Sequence, residues 1–272
     1  MGKELRDEFP SFVDRAYKEY KKFRLVEDIM SKDVVTIGPE DSMAEAARIM
    51  GEKHIGSLVV MVKGKPEAIV TERDLLSKIL ARGKDPKTVK VREVMSSPLI
   101  TIGPTATIKE AARTMIEKKG RLVVFHEGKL IGIITASDLI RSLPECPETL
   151  LKVDDIMTKK VAVSPSETTV GEVAKIMGEK RIGSVIVTRR KRPSGIFTER
   201  DLLTTFLAKG KSLDTKVGDV ASSPIITIPS GTSVHAAAYT MASKHVRRLP
   251  VIKEGQMIGI VTARDLVEAY AK

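Results

Sequence analysis

Ile69-Val-Thr-Glu-Arg-Asp-Leu-Leu76 returns three more times in closely related form, and that repetition restricts the fold of this chain more than any other feature. The other copies are Ile133-Ile-Thr-Ala-Ser-Asp-Leu-Ile140, Ile196-Phe-Thr-Glu-Arg-Asp-Leu-Leu203 and Ile260-Val-Thr-Ala-Arg-Asp-Leu-Val267. Thr71 and Thr135 lie 64 residues apart, as do Thr198 and Thr262, and the two pairs are offset by 127. A unit of about sixty residues is doubled and the pair doubled again, so one fold is used four times.

Each copy reads as a strand of β-branched residues running into a helix, with Thr at the junction and Asp one turn inside. Two readings of Thr-x-x-Asp compete. In one, the hydroxyl is an N-cap and the carboxylate a first-turn acid favoured by the helix dipole. In the other, the pair sits at the strand edge where open α/β sheets bind ligands, and suits a ribose diol and its phosphate.

Around this motif the first repeat, residues 25–82, is expected to hold a short helical turn over Val26–Met30 and a strand over Val34–Ile37. A helix follows from Ser42 with Glu45 at capping-box spacing, then strands at Leu58–Val62 and Ala68–Thr71 and a closing helix from Glu72. The helix buries Met43, Ala46, Ala47 and Met50, and the same offsets carry Ile108/Ala111/Ala112/Met115, Val170/Val173/Ala174/Met177 and Val234/Ala237/Ala238/Met241. The later repeats span 91–143, 153–209 and 217–272, with a proline-containing linker at 144–152. Residues 1–24 form an N-terminal extension, expected to be helical and broken at Pro10, with Phe9, Phe12, Val13, Ala16, Tyr17, Tyr20 and Phe23 as its apolar stripe.

The strand-helix-strand-strand-helix order resembles the cystathionine-beta-synthase (CBS) domain, as do the opening Val94-Met-Ser-Ser-Pro-Leu-Ile-Thr-Ile102 and the closing Gly132-Ile-Ile-Thr-Ala-Ser-Asp-Leu139. The resemblance implies an α/β (α+β) fold of four CBS repeats, forming two Bateman modules in a flat disk. It also implies adenosine ligands (AMP, ADP, ATP or S-adenosylmethionine) in clefts between repeats, and a likeness to the gamma subunit of AMP-activated kinase. Carried over by position, the ribose carboxylates are Asp74, Asp138, Asp201 and Asp265, and the ribose or phosphate hydroxyls Thr71, Thr135, Thr198 and Thr262. The hydroxyls near the base are Thr36, Thr101 and Thr227, with Val163 departing from the pattern in the third repeat. Fourteen residues before the closing Thr, where the family often has a phosphate-binding cation, the chain has Ser57, Arg121, Ser184 and Arg248; Lys119, His245 and Arg247 stand beside the two arginines.

The resemblance implies regulation, not catalysis. His54, His126, His235 and His245 lack metal-ligand spacing, and Gly210-Lys-Ser212 lacks the earlier glycine and preceding strand of a phosphate-binding loop. With no long apolar run, no signal-peptide pattern and one cysteine, Cys146, the chain is expected to be cytoplasmic. Charged residues make up 30% of it, Asn and Trp are absent, and the composition resembles that of a hyperthermophile. The net charge of +11 is weighted toward the second half, where Arg189-Arg-Lys-Arg192 stands between two strands. That run reads either as a solvated loop or as a contact for the phosphate backbone of RNA or DNA, the ribosome included. The expected partners are thus an adenosine ligand and an unidentified protein or ribosome/RNA; no membrane is expected, and a homodimer is left open.

Overall fold

The computed structural model describes residues 25–143 and 149–272; the expected N-terminal helix, Cys146 and most of the linker lie outside the described residues. Four three-stranded sheets form, ordered β1-β2-β3, β4-β5-β6, β7-β8-β9 and β10-β11-β12. In the first, β1 (Thr36–Ile37) pairs parallel to β2 (Ser57–Val62), which pairs antiparallel to β3 (Lys65–Thr71). The counterparts are β4 (Thr101–Ile102), β5 (Leu122–His126) and β6 (Lys129–Ile134), then β7 (Val163–Pro165), β8 (Ser184–Arg189) and β9 (Arg192–Thr198), then β10 (Ile228–Pro229), β11 (Arg248–Lys253) and β12 (Gln256–Thr262). The central strands are continuous apolar runs because both faces are covered, and Leu58, Val59 and Val60 are fully buried. The fourth parallel ladder starts one residue later than the others, at Ile228 opposite Val251, because Pro250 has no N–H to donate where Val59 donates to Val35 at 3.1 Å.

Every hairpin bulges at one place, and directly after the bulged residue, on the same strand, stand Ala68, Gly132, Gly195 and Gly259. A backbone crosses there. A Cβ on Gly259 would lie 2.4 Å from Met157 Sδ, and one on Gly132 2.5 Å from Met30 Sδ. The crossing strand is held by paired backbone bonds: Ser31 with Ile133 (3.0 Å each way), Ser96 with Ile69, Thr158 with Ile260 and Ser222 with Ile196. The turn Val26–Ile29, expected to open the first repeat, therefore leads onto the second repeat's sheet, and the segment before β4 lies on the first. The third and fourth repeats make the same exchange.

The chain divides into two compact units. Of the described residues, the odd unit, 33–99 and 159–227, holds repeats 1 and 3, and the even unit, 25–32, 100–143, 149–158 and 228–272, holds repeats 2 and 4.

In the odd unit the main helices are α1 (Met43–Glu52) and, in the third repeat, α4 (Val170–Glu179). Beyond Asp74 and Asp201 the helix winds into π turns, Leu75–Ile79 and Leu202–Leu207, where one uninterrupted α-helix is expected. These segments cross over: Leu203 packs in the core of the first repeat and Leu76 in that of the third. Gly51 and Gly178 make the approach close, since a Cβ on either would meet that of Ala208 or Ala81 at 2.4 Å. Phe197 and Phe206 pack edge to face, centroids 6.2 Å apart.

The even unit has α2 (Ile108–Lys118), α3 (Ala136–Ser142), α5 (Val234–Ser243) and α6 (Ala263–Ala271), with α6 packed on α2 and α3, and α5 on α3. Reciprocal capping boxes form at Thr107/Glu110 and, in the odd unit, Thr169/Glu172. The box expected at Ser42 is half made: Ser42 accepts from the Glu45 N–H at 3.1 Å, but the Glu45 carboxylate binds Arg48 at 2.6 Å instead.

Candidate functional site

The strand order brings the sequence-derived residues to one end of each sheet. Because β2 runs against β3, Ser57 pairs with Thr71; Thr36 pairs with Val59, two residues further on. The third and fourth sheets place Ser184 opposite Thr198 and Arg248 opposite Thr262. In the second, Leu122 pairs with Ile134, so Arg121 and Thr135 are the next residues on each side. Thr101 pairs with Val123 and Val163 with Ile186; Thr227 directly precedes β10. Thr36, Thr101, Thr227 and Val163 are exposed.

All four Thr-x-x-Asp motifs close the same cap. The Thr N–H donates to Asp Oδ2 at 2.9 Å (Thr71), 2.8 Å (Thr135), 2.8 Å (Thr198) and 2.8 Å (Thr262), and the hydroxyl donates to the same oxygen at 2.6 to 2.8 Å. In three copies the Asp N–H donates back to the Thr hydroxyl. The capping reading therefore holds in full at Thr71, Thr198 and Thr262, whereas at Thr135 only the carboxylate half forms and the Asp138 N–H donates to the Thr135 carbonyl at 3.1 Å; in all four the hydroxyl proton is committed to the carboxylate. Chemistry beyond the cap falls to the other carboxylate oxygen, Oδ1.

There the repeats differ. Asp74 Oδ1 binds Lys78 at 2.7 Å, and Lys78 also donates to the Val94 carbonyl. Asp138, 4% exposed, binds Arg141 through Oδ1, with the Ser31 hydroxyl at 3.5 Å. Lys78 and Arg141 were missed from sequence, although a cation three or four residues after a carboxylate on a helix is a readable signal. Asp265 has Glu268 and Ala269 at those positions, and its hydrogen bonds are those with Thr262. Burial pushes the Asp265 carboxyl above the usual carboxylate range, against the pull of those bonds.

In the odd unit the residues after the closing Thr, Glu72 and Glu199, are buried at 5% and 6% exposure. Arg73 binds Glu199 at 3.0 Å and donates to the Arg181 carbonyl at 3.1 Å; Arg200 donates to the His54 carbonyl at 2.7 Å. Both carbonyls end a helix in the left-handed conformation, His54 at φ 54° and Arg181 at 53°, where a cation meets the negative end of the helix dipole. Each arginine caps the main helix of the other repeat. Among the described residues no group of three or more His, Cys, Asp or Glu could hold a metal ion, and no helix is long and apolar enough to cross a membrane.

Four βαββ units with a Thr/Asp-capped closing helix define a tandem-repeat module. The CBS domain matches residues 26–81, 91–145, 153–208 and 217–272, and the chain belongs to that family. A crystal structure from Methanocaldococcus jannaschii, described as a proposed archaeal homologue of g-AMPK, superposes with a TM-score of 0.74 at 25% identity, covering 91% of this chain and all of the other. An uncharacterized protein of the same organism is 30% identical over 266 residues, 90% of this chain and 62% of its own length. One from Methanopyrus kandleri is 38% identical over 128 residues, 46% of this chain and 65% of its own. The chain thus spans under two thirds of these two relatives.

Proposed function

We propose that this chain is a non-catalytic regulator that binds adenosine ligands, among AMP, ADP, ATP and S-adenosylmethionine, through its capped aspartates and switches a partner interaction. The observation that carries the reading is the division of labour within each carboxylate. Oδ2 holds the helix, while Oδ1 is an acceptor at a sheet end, placed to take a ribose hydroxyl. Thr71, Thr135, Thr198 and Thr262 serve by fixing the carboxylate. In repeats 1 and 2 a ribose must displace or share Lys78 or Arg141; at Asp265, among the described residues, no cation forms an ion pair with the carboxylate. Arg121 and Arg248 supply phosphate-binding guanidinium groups that Ser57 and Ser184 cannot, so phosphorylated ligands are read chiefly by the even repeats. Thr36, Thr101 and Thr227 offer exposed hydroxyls for the base where Val163 offers none.

The test is isothermal titration of the four compounds into ligand-stripped protein, beside the double variant Asp138→Ala and Asp265→Ala. Saturable binding weakened at least about tenfold in the variant, roughly 1.4 kcal/mol, supports the reading. Absence of binding by all four to folded wild-type protein overturns it.

A further inference from the structure

The four hairpin tips share one backbone. Their central pairs are Lys63-Gly64, Glu127-Gly128, Arg190-Lys191 and Glu254-Gly255, all at positive φ. Such turns favour glycine because it has no Cβ to clash. Three tips have glycine second; the third repeat puts Lys191 there at φ 63°. The tip keeps a lysine where the backbone favours its removal.

Around it Arg189, Arg190, Lys191 and Arg192 are all exposed, and among the described residues none of their side chains makes a hydrogen bond or ion pair. Some cations elsewhere in the odd unit are paired, Arg48 with Glu45 and Glu52 at 2.6 Å and Lys90 with Glu40 at 2.6 Å, while single lysines such as Lys84 and Lys159 have no side-chain partner among the described residues; only here do four unpaired cations adjoin. Glu167, the acid that feels the field of Arg189, is already held by Lys216 at 2.5 Å. A composition rich in ion pairs therefore does not account for this tip, where four like charges crowd one turn.

We propose that the third hairpin docks on the phosphate backbone of base-paired RNA. Guanidinium and ammonium groups match phosphate; the same groups can read guanine edges in a wide major groove, so groove width is what separates the two nucleic acids for this tip. B-form DNA favours readers that hydrogen-bond to bases in its wide major groove. The A-form groove is too narrow for such reading and brings its two phosphate rows closer together, so a narrow hairpin with cations on both strands touches both.

The test uses the full chain and a fluorescein-labelled RNA duplex of about 20 base pairs, with anisotropy followed from about 50 to 300 mM salt. The variant is Arg190→Asn with Lys191→Gly, which removes two charges and installs a favoured turn pair, so its thermal midpoint is expected not to fall. The expected result is wild-type binding at low salt, weakened at least about tenfold in the variant, with the slope of log K against log salt flatter by about 1 to 2. Failure of the wild type to bind, a variant with unchanged affinity and slope, or competition by a DNA duplex or polyglutamate as effective as that by RNA overturns the proposal. Adenosine titration of the same variant is independent of it.

Discussion

Directly after the closing threonine the odd unit has Glu72 and Glu199, both buried, where the even unit has Ala136 and Ala263. Fourteen residues before that threonine the odd unit has Ser57 and Ser184 and the even unit Arg121 and Arg248. A buried carboxylate has to be compensated, so in the odd unit Arg73 and Arg200 are committed to the seam, where they also cap the facing helices. Among the described residues the even unit has alanine at both positions, and there Arg113 donates to the Ala271 carbonyl at 3.1 Å, so an arginine reaches the facing repeat's helix end in this unit too. One topology thus carries a buried glutamate after the closing threonine in one unit and an alanine in the other, and the unit with alanine is the one with arginine at its strand ends.

The comparison breaks most visibly at the odd seam. Gly178→Ala puts a Cβ 2.4 Å from that of Ala81 and 2.9 Å from the Leu76 carbonyl oxygen, and neither is a flexible side-chain end. We expect a loss of about 1–3 kcal/mol, a fall of roughly 2–4 °C per kcal/mol in the melting midpoint. Adding Ala81→Gly removes one of the two collisions and should restore part of the loss. A strictly additive pair in the double-mutant cycle would show that the seam relaxes and that the glycine is not needed for it.

The capped aspartates sharpen the comparison within the even unit. Burial raises the Asp265 carboxyl above its unfolded value near 3.8. Its ionised form therefore lowers stability, and this penalty grows as pH rises through the window that opens at that value and stays at its full size above the folded pKa. Asp265→Asn should raise the melting midpoint at pH 7 by the equivalent of a few tenths of a kcal/mol to about 1 kcal/mol, a gain that disappears on acidification below about pH 4. Asp138→Asn should do the opposite at pH 7, since Asp138 is buried and Arg141 compensates its charge. Melting curves from pH 3 to 8 on both variants check the pair of signs; two variants that shift alike would mean that Arg141 does not distinguish the sites.

The repeat number, the strand order and the four caps were legible because each is written in local periodicity or in two residues three apart. The exchange of opening segments was not. Val26-Glu-Asp-Ile-Met30 and Val153-Asp-Asp-Ile-Met157 are near copies, so a pattern that fits one sheet fits its relative, and only the three-dimensional crossing over Gly132 and Gly259 decides. The pairing of repeat 1 with 3 and 2 with 4 left a fainter mark. Thr-Glu-Arg-Asp occurs only in the odd repeats, as does the Met-Gly-Glu that ends their helices, and this alternation is the signature of the Arg-capped seam. The site was half legible: the aspartates could be named, but which oxygen the cap consumes, and that Lys78 and Arg141 take the other, depends on rotamers that sequence does not specify.

The smallest effect tests how closely the two odd repeats correspond. Gly171 in α4 occupies the place of Ala44 in α1, and both N–H groups donate to a carbonyl of the chain that leads to the next repeat, Gly171 to Leu213 and Ala44 to Pro86, each at 2.9 Å. A Cβ at 171 would meet Leu213 at 3.4 Å, ordinary van der Waals contact, and the residue has no positive φ to explain a glycine. Gly171→Ala reduces the freedom of the unfolded chain and should stabilise by about 0.4–1 kcal/mol, read as a small rise in the urea midpoint with unchanged slope. The same substitution at Gly178 destabilises, although it too lies in α4, because there the other repeat is in the way. A loss at both glycines would mean that the third repeat needs a looser helix start than the first, and that the odd unit is less symmetric than its backbone.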